Sequence, residues 1–179
     1  MRYAPHALRG VSLLVAALTA AGCSSDAPRQ DFTVPKALCG ISVPTDALSQ
    51  LLPASGKQLA AERTGSLDEG SALCTVKVDG ATVLEVSGER IDAGDSARNI
   101  LRSRLSIQDP KSSDTGSIAY ADHAAASLIK CRGSEVEVED VSTVIKTLKP
   151  ARADEPAMKK LTQGYTNSLK AQNPCKKKS

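Results

Sequence analysis

Asp122, His123 and Ser127 are the residue types in this sequence that could together support nucleophilic hydrolysis. A serine attacks a carbonyl when a histidine takes its proton and a carboxylate orients that histidine. However, no Gly-x-Ser-x-Gly turn presents a serine, and the alanines after His123 indicate a strand or its entry. We therefore expect His123 to be a surface or locally hydrogen-bonded side chain, with a hydrolase using Ser127 or His123 as the alternative.

Two short motifs resemble the beginnings of catalytic or phosphate-binding signatures. Ser127 and Lys130 match the Ser-x-x-Lys of penicillin-recognising enzymes, but neither Ser-Asp-Asn nor Lys-Thr-Gly accompanies them. The tripeptide 55–57 lacks the upstream glycine of a phosphate loop. Both motifs are interpreted as chance matches, and the sequence predicts no catalytic residue and no cofactor.

An acidic run could gather a calcium ion, which prefers carboxylate oxygens; it comprises Glu135, Glu137, Glu139 and Asp140. Alternating glutamates in a strand share one face, which here would be the solvent face, while Val136 and Val138 point inward. We therefore expect a charged strand and no metal site.

Four cysteines, Cys39, Cys74, Cys131 and Cys175, form an even set once Cys23 is set aside. An even count in an exported domain predicts two disulfides, with three connectivities open. Pairing in chain order would close loops of 35 and 44 residues. Zinc binding is the competing interpretation, but the cysteines do not occur in Cys-x-x-Cys pairs.

The N-terminal residues 1–22 have the pattern of an export signal. Arg2 and Arg9 precede the apolar stretch 11–21, which is too short to span a hydrocarbon core of about 30 Å. A positive start followed by a short apolar segment is typical of a secretory signal peptide.

Cys23 follows the small residues Ala20, Ala21 and Gly22, as a cysteine that receives lipid requires. The usual motif has leucine where this chain has Ala20, with Leu18 two places earlier. Lipidation at Cys23 would add two acyl chains, which together give a stable membrane anchor. Ordinary signal cleavage after Ala21, leaving a free thiol at Cys23, is the alternative.

Composition narrows the class of partner. The signal carries two arginines and no acidic residue, so the remaining 157 residues hold 21 basic and 20 acidic side chains. A nearly neutral chain lacks the concentrated basic charge of nucleic-acid-binding proteins. Because tryptophan is absent and aromatic residues are 2% of the chain, stacking on sugars or bases is also disfavoured.

Residues 23–36 are expected to form a polar, lipid-anchored tether, and residues 37–179 a single domain. Within that domain, helices are predicted near Leu48–Leu52, from Asp95 or Ser96 to Ser106, and from Asp154 to Asn173; strands are predicted around Asp79-Gly80 and at about 124–131 and 135–143; loops are predicted at 55–71 and 108–116. The fold class is therefore α+β: an antiparallel sheet of about four strands with helices on one face, braced by two disulfides. The order strand, turn, strand, helix occurs twice, which suggests a duplication.

The chain resembles the small secreted lipoproteins of actinobacteria such as streptomycetes. The resemblance rests on the lipid-attachment sequence at Cys23, Cys39-Gly40 before a short helix, the strand from Cys74 to Val-Asp-Gly, and a last helix ending at Cys175. It implies an envelope location and disulfides, and it implies no active site.

Together these features predict a lipid-anchored protein on the extracytoplasmic face of the cell membrane. We expect a non-catalytic module that binds an envelope protein or a small hydrophobic ligand and no nucleic acid. The alternatives are an envelope hydrolase and an accessory or regulatory subunit of a membrane sensor or transporter.

Overall fold

The computed structural model describes residues 30–131 and 139–176. The strands are β1 (Ala37–Leu38), β2 (Ile41–Ser42), β3 (Leu59–Ser66), β4 (Ser71–Val78), β5 (Ala81–Asp92), β6 (Lys111–Ser113), β7 (Ile118–Tyr120), β8 (Ala124–Ile129) and β9 (Glu139–Thr147). The helices are α1 (Thr45–Leu51), α2 (Ala97–Leu105) and α3 (Glu155–Lys170), with single 3₁₀ turns at Leu67–Glu69 and Asp114–Gly116.

Seven strands form one antiparallel sheet in the order β3-β4-β5-β9-β8-β7-β6, and β1 pairs with β2 in a separate hairpin. The sheet consists of two meanders, β3-β4-β5 and β6-β7-β8-β9, whose last strands meet at its centre. There Val86 lies opposite Ile145 and Gly88 lies opposite Thr143. The predicted α+β class is thus confirmed, whereas the expected count of about four strands is wrong.

The β4–β5 hairpin has the predicted turn. Asp79 and Gly80 take positive φ angles of 50° and 85°, as a tight hairpin turn between right-twisted strands requires. Asp79 also accepts hydrogen bonds from the backbone N–H groups of Lys57 and Gln58, at 3.0 and 2.9 Å. The turn residue therefore also fixes the start of β3.

Helices cover both faces of the sheet, which corrects the expectation that they share one face. Alternate residues of β8 divide between two apolar clusters: Ala125 and Ile129 pack with α1 and α3, whereas Ala126 and Leu128 pack with α2. We call these the α3 face and the α2 face. If the two halves were a symmetric duplication, a two-fold axis perpendicular to the sheet would relate β5 to β9, because these neighbouring strands are antiparallel. Such an axis would place α2 and α3 on the same face, whereas they lie on opposite faces. The elements β4-β5-α2 and β8-β9-α3 therefore repeat in order along the chain but are not related by this symmetry.

Three strands lie where the sequence analysis expected loops or made no assignment. β3 falls in the expected loop 55–71 because its residues are small or polar and mostly exposed at the sheet edge. β6 has three residues at the other edge, within the expected loop 108–116, and β7 also has only three. Such short or edge strands carry little alternating hydrophobicity, so periodicity does not reveal them. Of the other predicted pair, β8 ends at Ile129, and residues 135–138 lie outside the described ranges.

The two longer helices begin at the residues predicted to cap them. Ser96 accepts a hydrogen bond from Asn99 N at 3.1 Å, and Asp154 accepts one from Ala157 N at 2.8 Å. In α3 the predicted apolar stripe is buried, including Met158, Leu161 and Leu169. By contrast, α1 follows Pro44 and has no side-chain cap at its N-terminus.

Two disulfides brace the fold, as predicted. Cys39 pairs with Cys74, which joins the β1–β2 hairpin to β4, and Cys131 pairs with Cys175, which joins the end of β8 to the segment after α3. The packed part begins before residue 37, since Phe32 is buried in the core and Asp31 N donates to Gly56 O at 2.9 Å. Of the tether expected over residues 23–36, the part from Gln30 onward therefore packs on the domain.

Candidate ligand-binding cleft

The structure does not bring the hydrolase candidates together. His123 Nδ1 lies 2.5 Å from Asp122 Oδ1, and both side chains are more than half exposed. Ser127 is 0% exposed and lies four residues further along β8, about 13 Å away at the rise of a strand. In this arrangement the His123 imidazole is too far from the Ser127 hydroxyl to accept its proton.

The Ser-x-x-Lys match also lacks the geometry of its enzymes. Those enzymes place the serine at the start of a helix, whereas Ser127 is in a strand and its hydroxyl is buried. Lys130 follows the strand and is exposed.

Only two residues of the acidic run, Glu139 and Asp140, belong to the described part of the chain. Glu135 and Glu137 lie outside it, Glu139 lies 3.9 Å from Arg90, and Asp140 is buried and accepts from Cys131 N at 3.2 Å. No group of three or more metal-ligating side chains occurs within residues 30–131 and 139–176. Over the same ranges, no helix has both the length and the apolar character needed to cross a membrane. Cys23 lies outside the described residues.

A cleft of about 180 Å³ lies on the α3 face of the first meander. Its floor is formed by β4 and β5, through Ala72, Val86 and Gly88, and by the Cys39–Cys74 disulfide. Side chains of the following elements close its sides: Arg63 of β3, Leu67 and Asp68 of the 3₁₀ turn, Tyr165 and Leu169 of α3, and Gln172, Asn173 and Lys176 beyond that helix. Apolar groups thus line the floor, and polar groups surround the mouth.

Local structure explains why these side chains converge. Tyr165 and Leu169 are four residues apart on α3 and therefore lie one above the other on the same helix face. Arg63 is opposite Cys74 in the β3–β4 ladder, so its side chain lies on the α3 face with the disulfide. The 3₁₀ turn places Leu67 over Gly88, where a Cβ would be 3.4 Å from Leu67 Cδ2.

Arg90 forms hydrogen bonds to segments on two sides of the cleft. Its side chain is only 6% exposed; Nε donates to Leu67 O at 3.1 Å, and Nη2 donates to Pro174 O at 2.9 Å. Asp68 and Glu139 each approach the guanidinium to 3.9 Å. Because Pro174 precedes Cys175, the second disulfide holds the same segment. The cleft is therefore a braced feature of the fold.

Arg63 is an exposed guanidinium at the mouth of the cleft without an ion-pair or hydrogen-bond partner in the described part of the chain. One of its terminal nitrogens lies 3.2 Å from the position that a Cβ would take on Gly40. The guanidinium therefore lies over the β1–β2 turn, beside the disulfide.

Tyr165 is largely buried, and burial raises the pKa of its phenol to about 12, against a smaller lowering by the nearby Arg63 charge. The phenol therefore stays protonated at neutral pH. Within residues 30–131 and 139–176 its oxygen has no hydrogen-bond partner. Tyr165 thus offers the cleft one donor and one acceptor beside a positive charge.

Thr143 is a third polar group of the cleft wall. It is 1% exposed, and its Oγ1 has no hydrogen-bond partner among the described residues. The paired residue Ser127 on β8 has the same property. Buried hydroxyls normally have partners, because leaving one unsatisfied costs about 1–3 kcal/mol. Of this pair, Thr143 lines the cleft and Ser127 does not, so Thr143 is the hydroxyl that a ligand there would meet.

The chain matches no protein-family model, no curated protein and no solved structure. The cleft itself therefore carries the functional inference.

Sequence reasoning did not identify this cleft. Arg63 lies in a segment expected to be a loop, and Tyr165 was assigned to the apolar stripe of the last helix, where it also belongs. The cleft residues come from segments far apart in the chain, so no local motif joins them. The one available signal was a tyrosine on that stripe, since its hydroxyl needs a polar neighbour when buried.

Proposed function

We propose that this chain is a lipid-anchored protein of the extracytoplasmic membrane face that binds a small, partly apolar ligand in the cleft and catalyses no reaction. The observation that carries the proposal is the cleft itself. It combines an apolar floor with three polar groups, Arg63, Tyr165 and Thr143, that have no hydrogen-bond partner among the described residues. Binding sites for small molecules typically have this combination of apolar walls and few convergent polar groups.

The volume limits the ligand to a small one. Pockets for drug-sized molecules commonly measure about 300–1,000 Å³, whereas an apolar cavity of about 150 Å³ takes a benzene molecule. At about 180 Å³, the cleft suits a branched or cyclic body of roughly six carbon atoms.

The proposed location rests on the sequence. The positive start, the short apolar stretch and the small residues before Cys23 support export and lipidation. The resemblance to actinobacterial lipoproteins supports the same location. The polar residues after Cys23 would hold the domain away from the lipid headgroups.

Binding without catalysis is favoured over the hydrolase alternative. A hydrolase with a serine nucleophile needs that serine and a base within hydrogen-bond reach of each other. Here Ser127 is buried within β8, and His123 is exposed just before that strand begins. The polar groups of the cleft are suited to holding a ligand rather than to attacking it.

A cleft-filling variant tests the proposal. Ala72 is half-buried in the floor of the cleft, so Ala72→Phe would fill the space, whereas Ser87→Phe places the same ring on the exposed α2 face of β5. Saturation-transfer NMR would be recorded with a mixture of six-carbon-ring probes: toluene, p-cresol, benzoate and benzylamine. We expect at least one probe to bind the native chain and the Ser87→Phe variant but not Ala72→Phe. The proposal fails if no probe binds, or if filling the cleft leaves binding unchanged.

A further inference from the structure

The positive charges on the two faces of the sheet differ in whether a carboxylate lies beside them. Lys77 and Lys146 each have a carboxylate at 2.8 Å, from Glu62 and Glu85, on the α2 face of the sheet. Arg63 on the α3 face has no such partner among the described residues. A guanidinium that adjoins an apolar cleft and lacks a counter-charge is suited to an anion carried by the ligand.

We infer that the ligand is a carboxylate joined to an apolar body of about six carbon atoms, with the carboxylate on Arg63 and the body in the cleft. This inference rests on the proposed binding function. The planar guanidinium fork matches a carboxylate with two parallel N–H···O bonds. The Tyr165 phenol, beside that charge, can donate a further hydrogen bond to the same group.

A carboxylate fits the mouth better than a phosphate. Asp68 also lines the cleft, and its carboxylate would repel a doubly charged anion more than a singly charged one. Lys176 lines the mouth as well, so Arg63 and Lys176 outnumber the single acid Asp68 there. The net positive charge at the mouth therefore favours a ligand with a single negative charge.

The apolar end of the ligand would lie against Leu67, Val86 and Leu169. These side chains and the Cys39–Cys74 disulfide enclose the inner part of the cleft. A branched aliphatic or aromatic acid has this shape. So does the last residue of a peptide ending in leucine, and these two sources share the same recognition chemistry.

Isothermal titration of the full chain with matched ligands tests the inference. The pair 4-methylpentanoate and 4-methylpentanamide differs only in the charged group, and acetyl-Ala-Ala-Leu with a free or an amidated C-terminus repeats the comparison for a peptide. We expect each carboxylate to bind at least tenfold more tightly than its amide. Tighter binding of 4-methylpentanoate identifies a free acid as the source, and tighter binding of the peptide identifies a chain terminus; either supports the inference.

Variants of Arg63 assign the effect to that residue. Arg63→Ala is expected to weaken carboxylate binding tenfold or more and to weaken amide binding much less, so that the preference for the acid is lost, whereas Arg63→Lys retains part of the preference. Circular dichroism checks that the variants fold, as expected for an exposed position. Equal binding of acid and amide, both lost in Ala72→Phe, would overturn the carboxylate inference while the binding function stands. Failure of every ligand on the native chain would contradict both.

Discussion

At the scale of single residues, the cleft depends on polar groups that the fold leaves without partners. Arg63 supplies charge, Tyr165 a buried phenol, and Thr143 a hydroxyl in the wall. None of these three residues belongs to a catalytic motif, and neither Ser127 nor His123 lines the cleft. The residues whose types first suggested chemistry, His123 and Ser127, are an exposed side chain and a buried strand residue.

Tyr165 gives a pH-dependent prediction. Burial raises its pKa from the ordinary value of 10.0 to about 12 in the folded chain, so folding favours the protonated phenol. The contribution of the protonated phenol to the free energy of unfolding is fully present below pH 10. It is lost as the pH rises toward 12, by about 3 kcal/mol at most. At pH 8 the Tyr165→Phe variant should be about as stable as the native chain. Above pH 10 it should not lose stability through ionisation at this position, because it has no phenol.

Urea unfolding at pH 8 and at pH 11.5, after a brief exposure to base, measures the difference. Equal losses of unfolding free energy in the native chain and in Tyr165→Phe would contradict the assignment.

At the scale of elements, close approach between α1 and α3 positions Tyr165 and Leu169 over the sheet. Gly164 permits it: a Cβ at this position would lie 2.4 Å from both Cδ and Cγ of Pro44, which precedes α1. Such a distance is far inside ordinary contact, so a side chain here would displace one helix. The glycine in the middle of α3 is therefore required by packing.

Gly164→Ala should destabilise the protein by about 1–3 kcal/mol, because overpacking outweighs the gain of about 1 kcal/mol that alanine brings to an open helix. Asn167→Ala, on the exposed side of the same helix, is the control and should gain a few tenths of a kcal/mol. Thermal and urea unfolding measure whether each variant has a lower or a higher free energy of unfolding than the native chain. A stabilising Gly164→Ala would show that α1 and α3 are not held this closely.

Elements with a strong local signal were predictable from the sequence. The Asp79-Gly80 hairpin and the capped helices α2 and α3 form as expected, because turn chemistry, capping and apolar spacing agree there. Strands β3, β6 and β7 were not predicted, since they are short or polar and form through pairing with neighbours. The face on which α2 packs depends on chain connection rather than on its own residues, so periodicity could not assign it.

The candidate site was beyond prediction for the same reason. It exists only where β3, the 3₁₀ turn and the end of α3 meet, and two of those three elements were expected to be loop. The cysteines were the exception, because the four that remain once Cys23 is set aside can pair in only three ways.

At the scale of the whole molecule, the proposal joins an anchor, a tether and a binding domain. The described part of the domain begins with packed residues at Gln30, only seven positions after Cys23. A lipid on Cys23 would thus hold the domain within a short distance of the membrane surface.

Replacement of Cys23 tests the anchor. Cys23→Ser should move the protein from the membrane fraction to the soluble envelope or medium, because the two acyl chains are lost. Cell fractionation with immunodetection measures the change, and a Ser24→Ala variant is the control. The anchor is contradicted if Cys23→Ser remains membrane-bound to the same extent as the control.

The position of a bound ligand tests the proposed function most directly. Intermolecular nuclear Overhauser effects would be recorded on the full chain with 4-methylpentanoate. We predict contacts from the ligand methyl groups to the Leu169 methyl groups and the Tyr165 ring, with none to side chains of the α2 face. Contacts confined to the α2 face, or none under conditions where the acid binds, would show that the cleft is not the binding site.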